Sequence, residues 1–153
     1  MIRKSIIGCE EWGALKDLRI PAIKMRIDTG AKTSSLHAFN IAIHQREGRE
    51  FVTFDIHPIQ KSHKIIRQCQ ADIIDNRVVK SSSGDKQRRF VILTPLMIGE
   101  ETWNIQVTLT NRDTMGYRML LGREAMEKRF LVDPDLSFCK GDISKENLRK
   151  LYL

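Results

Sequence analysis

The segment from Ile23 to Leu36 holds the residues best suited to chemistry. A strand-like Ile23-Lys24-Met25-Arg26-Ile27 runs directly into Asp28-Thr29-Gly30-Ala31 and then into Lys32-Thr33-Ser34-Ser35. A carboxylate, a hydroxyl and a glycine in succession can form a turn that holds Asp28 among backbone N–H and hydroxyl donors at the floor of a cleft, with Gly30 allowing a tight backbone path. An ordinary Asx turn closing a strand has the same composition, so the motif alone leaves both readings open. About ninety residues later, Met119-Leu120-Leu121-Gly122-Arg123-Glu124 is an apolar strand that ends in glycine just before a run of helix formers.

The elements around these two segments read mostly as strands. Runs rich in β-branched and aromatic residues, bounded by Gly, Asn, Asp or Pro, predict strands at Ala22 to Ile27, Ile41 to His44, Glu50 to His57, Ile65 to Ala71, Arg77 to Lys80, Arg88 to Leu96 and Thr102 to Thr110. Within Glu50 to His57, Val52, Phe54 and Ile56 alternate with Phe51, Thr53, Asp55 and His57, so one face should look into a core. Arg46-Glu47-Gly48-Arg49, Ser81-Ser82-Ser83-Gly84-Asp85 and Ile98-Gly99-Glu100-Glu101 are local turn signals that join these runs into a meander. Such a meander implies a closed or sandwiched all-β domain. Helix is expected only near the carboxyl end, over Gly122 to Phe130, stopped by Asp133-Pro134, and in a second short piece from the N-cap Ser144 toward Leu151.

Composition bounds the class. The chain has 153 residues, 41% hydrophobic and 29% charged, with a formal net charge of +7. That is the balance of a globule, and residues 1–153 read as one domain that needs no disulfide or metal staple. No apolar run approaches the ~20 residues of a membrane span, and Glu10 and Glu11 interrupt any signal-peptide core, so a cytoplasmic chain is expected. Cys9, Cys69 and Cys139 are odd in number and far apart, as reduced thiols would be. Base is concentrated from Lys61 to Arg89, where eight Lys and Arg face three Asp. Nucleic acid would be the natural ligand of such a segment, but it carries no aromatic residue for base stacking before Phe90.

Asp-Thr-Gly-Ala followed by hydrophobic-hydrophobic-Gly-Arg resembles the paired signature of the retropepsin-like aspartic proteases, and the likeness covers roughly Ile20 to Phe130. The resemblance implies an all-β, closed-barrel acid-protease half with one carboxy-terminal helix. In that family the strand before the late glycine threads behind the Asp-Thr-Gly loop, and a flap hairpin folds over substrate. Here the flap would span about residues 76–90, with Ser81, Ser82, Ser83 and Gly84 at its tip. More narrowly, Glu11-Trp12-Gly13, the stretch Lys24 to Ala38, Ser81-Ser82-Ser83-Gly84, Thr108 to Arg112 and Met119 to Glu124 are similar to a bacterial and archaeal family labelled ATP-dependent zinc protease. Its members often sit beside, or are fused to, ATP-grasp ligases that add glutamates, which makes such a ligase an expected partner.

Aspartic proteolysis needs two carboxylates about 3 Å apart that share one proton. This chain has a single Asp-Thr-Gly and no Asp-Ser-Gly, so the resemblance implies a symmetric homodimer in which Asp28 of each subunit is catalytic. By the same resemblance Thr29 braces the paired loops, Gly30 gives backbone room and Ala31 is the small residue of the motif. Leu121, Gly122 and Arg123 are structural, near the dimer core. Lys32 departs from the pattern; it would oppose proton sharing if aimed at Asp28, and a solvent-facing side chain is expected instead.

The zinc label finds no support in motifs, since neither His-Glu-x-x-His nor Cys-x-x-Cys is present. His37, His44, His57, His63 and Cys69 could converge only through the fold and read more simply as surface or core residues. Gly30-Ala31-Lys32-Thr33 lacks the upstream glycine of a phosphate-cradling loop, so no cofactor is expected. The competing readings are a zinc-dependent protease and a non-catalytic module on the same fold that binds peptide or nucleic acid. Trp12 and Trp103 read as core or interface anchors. The basic segment overlaps the flap, which favours an acidic peptide substrate, glutamate-rich in the simplest case.

Overall fold

In a computed structural model that describes residues 3–80, 83–111 and 116–153, the alternation of the sixth strand falls as its sequence requires. Val52, Phe54 and Ile56 are buried to within 1% of full burial. Each such side chain removed from water contributes roughly 1.5–3 kcal/mol. Eleven strands and two short helices make up the described chain: β1 (Ser5–Ile7), β2 (Glu10–Leu15), β3 (Ile20–Asp28), β4 (Ser34–His37), β5 (Phe39–Arg46), β6 (Arg49–Ile56), β7 (Arg67–Lys80), β8 (Lys86–Ile98), β9 (Glu101–Thr110), β10 (Met119–Gly122), α1 (Arg123–Met126), β11 (Phe130–Val132) and α2 (Lys145–Leu151).

Nine strands form one sheet in the order β2-β3-β10-β4-β9-β8-β7-β6-β5, and a further pairing of Ala14 with Met97 joins β2 to β8. That contact closes β2, β3, β10, β4, β9 and β8 into a ring, from which β7, β6 and β5 continue as an extension. The expected all-β, retropepsin-like closed barrel with a carboxy-terminal helix is therefore present. The core inside the ring is aliphatic, built on Ile23, Met25, Leu36, Ile92, Leu96, Val107, Met119 and Leu121. No helix among the described residues is long and apolar enough to cross a membrane.

The turns follow their sequences. Arg46 pairs with Arg49 across a two-residue loop in which Glu47 and Gly48 both have positive φ, 54° and 79°. This backbone matches the twist of the flanking strands. Ile98 pairs with Glu101 across Gly99 and Glu100, with Gly99 at φ 59°.

Three features differ from the sequence reading. The separate strands expected at Ile65 to Ala71 and Arg77 to Lys80 are one strand, β7, whose register slips between Ile73 and Asp75. The slip falls at Ile74, and the polar Asp72, Asp75 and Asn76 around it stay paired with Phe51, Val91 and Phe90, so the strand runs on through a stretch whose composition suggests a break. The helix expected over Gly122 to Phe130 stops at Met126, and Lys128 then takes a left-handed φ of 69°. Phe130 is thereby buried against Trp103 and enters β11, which pairs in parallel with β1. Strands β1, β2, β4 and β11 were not expected, because they are short or carry polar residues on their buried side. The second helix does begin at Ser144, whose Oγ accepts the Asn147 N–H at 3.1 Å.

Candidate active site

Asp28 is the last residue of β3, and β10 fixes its position. Met119 to Gly122 lie in parallel register with Met25 to Asp28, which sets Gly122 directly opposite Asp28. On its other edge β10 pairs antiparallel with β4, so it threads between the strands that enter and leave the Asp28 loop. The loop is closed by local bonds: the Gly30 N–H donates to Asp28 Oδ1 at 3.0 Å and the Ala31 N–H to the Asp28 carbonyl at 3.3 Å. Asp28 itself is partly exposed, and Thr29 and Gly30 are exposed.

Behind the loop the contacts are tight. The Gly122 N–H donates to the buried Ser34 Oγ at 3.0 Å, and the Thr108 hydroxyl donates to the Ser34 carbonyl at 3.2 Å. A Cβ on Gly122 would lie 2.6 Å from the Thr33 carbonyl carbon and 2.9 Å from the Ser34 nitrogen. Only glycine fits there. Leu121 is fully buried in the core beside it.

Arg123 and Lys32 tie the loop to α1. The Arg123 N–H donates to the Ala31 carbonyl at 2.8 Å, and its guanidinium Nη1 donates to the Gly30 carbonyl at 3.2 Å. The Glu124 N–H donates to the Lys32 carbonyl at 3.2 Å. The Lys32 ammonium pairs with Glu124 Oε1 at 3.6 Å on an exposed surface, which directs it to the helix carboxylate. An exposed pair of this kind contributes little to stability, but it gives the cation another place than the Asp28 carboxylate.

Strands β7 and β8 form a hairpin over the stretch where the resemblance places a flap, paired from Val78 and Arg88 to Lys80 and Lys86 at its outer end. Of the expected tip, Ser81 and Ser82 lie outside the described residues. Ser83 and Gly84 are exposed, and Gly84 has φ 90°. The two faces of the hairpin differ. Arg77, Val79, Gln87 and Arg89 are partly buried and face the body, whereas Val78, Lys80, Lys86 and Arg88 are exposed. At its base, Arg89 Nε donates to Gln87 Oε1 at 3.0 Å and Arg89 Nη1 to Thr108 Oγ1 at 3.4 Å. The Thr110 hydroxyl donates to Gln87 Oε1 at 3.2 Å.

Two acidic residues to which the sequence reading assigned no role at the site lie on β2. Glu10, opposite Arg26 in register, accepts the Tyr117 hydroxyl at 2.8 Å and the Ser137 hydroxyl at 3.3 Å. Burial and the adjacent Glu10 carboxylate push Tyr117 up to about 12. Glu11 is fully buried and accepts three backbone N–H groups, from Gly8 at 2.8 Å, Cys139 at 2.8 Å and Lys140 at 3.0 Å. It fastens the chain after β11 to β2.

The histidines are dispersed into local contacts. His44 Nε2 bonds Thr53 Oγ1 at 2.8 Å, and His57 packs edge-on against His63 with centroids 4.6 Å apart. Cys69 donates to the Leu18 carbonyl, and burial pushes its thiol up to about 11. Among the described residues no three His, Cys, Asp or Glu side chains converge as metal ligands would. Trp103 donates to the Ala125 carbonyl at 3.0 Å, and Trp12 donates to Asp142 and stacks near Phe138, so both act as anchors. A cavity of about 630 Å³ lies elsewhere, between the Leu18 turn and β6 and β7, near Asn40, Asp55 and Cys69.

Three comparisons bear on this arrangement. A family model described as "Retropepsin-like aspartic endopeptidase RimB" matches residues 6–142. A "Probable alpha-L-glutamate ligase" of Desulfotalea psychrophila is 52% identical over 151 residues, which are 99% of this chain and 32% of that protein. A protein of the same name from Shewanella pealeana is 53% identical over 149 residues, again 32% of its length. The chain thus spans about a third of the curated relatives it matches. A crystal structure of a Legionella pneumophila protein of unknown function superposes with a TM-score of 0.75 and 29% identity, covering 90% of this chain and 99% of that one.

Proposed function

The chain belongs to the RimB-like family of retropepsin-like aspartic endopeptidases, and on that premise we propose that it hydrolyses peptide bonds as a homodimer, with Asp28 of each subunit forming the catalytic pair. The observation that carries this reading is the register of β10 with β3, which sets Gly122 against Asp28 and leaves the carboxylate at the open end of its strand. One such loop supplies half of the required chemistry, and two-fold symmetry supplies the other half.

The pair holds one proton between two carboxyl groups, because both cannot ionise about 3 Å apart. The ionised Asp28 takes a proton from water as the water oxygen bonds to the scissile carbonyl carbon. The protonated Asp28 of the other subunit gives its proton to the carbonyl oxygen, and a gem-diol forms. In the second step a carboxyl proton passes to the amide nitrogen, a hydroxyl proton returns to a carboxylate, and the carbon–nitrogen bond breaks. The pair ends with the one proton it began with. Thr29, Gly30 and Ala31 shape the loop, Arg123 and Gly122 brace it, and the hairpin ending at Ser83 and Gly84 covers the substrate.

The substrate class proposed is an acidic peptide. Base exceeds acid by five charges between Lys61 and Arg89, the stretch that includes the flap, and such a field draws in acidic chains. The relatives named alpha-L-glutamate ligases carry a like sequence within one longer polypeptide. A hydrolase of glutamate-rich peptide set beside a glutamate ligase would run the opposing reaction. An ATP-grasp ligase is accordingly the proposed partner, and the cytoplasm the proposed compartment.

Light scattering on the eluting peak should give twice 17.7 kDa. Asp28→Asn should cut peptide hydrolysis by about 10²–10⁴-fold, as loss of a general acid–base group does. A fully active monomer would remove the symmetric mechanism, and undiminished cleavage by Asp28→Asn would remove Asp28 from it.

A further inference from the structure

At the end of β3 remote from Asp28, three cations share one groove that holds no acid. Lys16, Arg19 and Arg67 line a depression of about 310 Å³ whose remaining wall is Ile20, Pro21 and Leu151. Ile20 opens β3 and Asp28 closes it. At about 3.3 Å per residue, the strand sets the groove roughly 26 Å from the candidate active site.

Both arginines are held in place by neutral groups. Arg19 closes the short turn Lys16–Leu18 with a left-handed φ of 58°, and its N–H donates to the Lys16 carbonyl at 2.9 Å. Its guanidinium donates to the Gln68 carbonyl. Arg67 Nε donates to the Arg19 carbonyl at 3.2 Å and Arg67 Nη2 to the Tyr152 carbonyl at 3.3 Å, with the guanidinium 4.9 Å from the centre of the Tyr152 ring. Carbonyl oxygens and a ring face orient a guanidinium without cancelling its charge. Among the described residues no carboxylate forms an ion pair with Lys16, Arg19 or Arg67. Asp17, their neighbour in sequence, lines the 630 Å³ cavity instead.

We propose that this groove anchors an acidic polypeptide, with glutamate carboxylates on Lys16, Arg19 and Arg67 and the aliphatic stems of those side chains against Ile20, Pro21 and Leu151. Three cations without a local acid make a field of one sign, and the guanidinium fork matches a carboxylate. The apolar shoulder selects between anions. Leu151 is 47% exposed, and glutamate brings methylenes to cover it where a bare phosphate brings none. The role of the anchor rests on the endopeptidase reading: the groove holds the far end of a substrate while Asp28 meets the part to be cut. An extended chain needs at least about eight residues to reach both places, so short peptides do not profit from the groove during cleavage.

The test uses the full chain and labelled hexadecaglutamate, with binding read by fluorescence anisotropy at low salt on the Asp28→Asn protein and cleavage read on the parent. The double change Lys16→Gln with Arg19→Gln should weaken binding by roughly three- to thirty-fold, the worth of two exposed charge contacts. In the parent the same pair of changes should raise KM for hexadecaglutamate by a like factor and leave kcat, and all cleavage of tetraglutamate, as they were. Arg49→Gln, which removes a charge from the exposed tip of the β5–β6 hairpin, should leave binding unchanged. Lys16→Glu serves if the double variant fails to fold, since Lys16 is exposed. Unchanged affinity in Lys16→Glu and in the double variant, or an equal loss in Arg49→Gln, overturns the proposal. So does displacement of the peptide by inorganic phosphate beyond that by sodium chloride of equal ionic strength, which would make the groove a phosphate site. The two readings fail separately: binding that the variants weaken, with no cleavage by the parent, refutes the endopeptidase, and cleavage whose KM ignores the variants refutes the anchor.

Discussion

Gly122 stands opposite Asp28 in parallel register, and its amide bonds Ser34 on the strand that leaves the Asp28 loop. One residue without a side chain therefore lets both sides of the loop close on β10. Gly122→Ala would drive a methyl group to 2.6 Å from the Thr33 carbonyl carbon, a backbone atom that cannot rotate away. The substitution should cost about 1–3 kcal/mol or more, read as a lower urea midpoint, and should reduce the proposed peptidase activity further than stability alone explains. Unchanged stability would mean that the loop yields easily.

Glu11 is the anchor of the segment after β11. Glu11→Ala would strand the buried N–H of Gly8 and the half-buried N–H groups of Cys139 and Lys140. An unpaired buried donor costs roughly 1–3 kcal/mol and a half-buried one less, because water can reach it, so a total loss of about 2–3 kcal/mol is expected. Glu11→Gln keeps one acceptor oxygen and should lose less. Hydrogen exchange should speed up first at Cys139 and Lys140.

The two tyrosines report on alkaline stability. Tyr117 and Tyr152 are both pushed up to about 12, in each case chiefly by burial. An unfolded tyrosine ionises near 10. Between these values the folded chain holds protons that the unfolded chain has lost, so stability is full below about 10 and falls as pH rises toward about 12. Absorbance at the phenolate band should stay flat past the normal tyrosine range and then rise together with loss of circular dichroism. A full phenolate signal in folded protein near pH 10 would contradict the burial of both.

Thiol chemistry should sort the cysteines by exposure. Cys9 and Cys139 are exposed, and burial together with Glu11 raises Cys139; Cys69 is buried and pushed up to about 11. Iodoacetamide at pH 8 should modify Cys9 first, Cys139 more slowly and Cys69 only on unfolding, since the thiolate is the reactive form. Mass spectrometry of the labelled peptides reads the order directly.

Much of the site was legible in the sequence because its signals are local. Asp28-Thr29-Gly30 and Leu121-Gly122-Arg123 each state a backbone requirement within three residues, and the alternation of Val52, Phe54 and Ile56 states a face. Glu11 was not legible, since its partners at Cys139 and Lys140 are about 128 residues away and are backbone groups that any residue offers. Strand β4 was hidden because Ser34 is buried for the hydrogen bond its hydroxyl accepts and not for apolar area. The bulge in β7 hid the length of the flap, since polar residues at Asp72, Asp75 and Asn76 imitate a turn. Helix propensity from Ala125 onward lost to the tertiary pull that buries Phe130.

The parallel pairing of β1 with β11 sets how the molecule bears load. Ser5, Ile6 and Ile7 run alongside Phe130, Leu131 and Val132 in the same direction, so tension applied through the two ends drags these strands lengthwise past each other. Their hydrogen bonds must then break together, not one at a time as in an unzipping hairpin. The Glu11 carboxylate takes strain before them, because the pulled segment passes through Cys139 and Lys140 first. Pulling on the two ends therefore meets this clasp before it reaches the Asp28 loop.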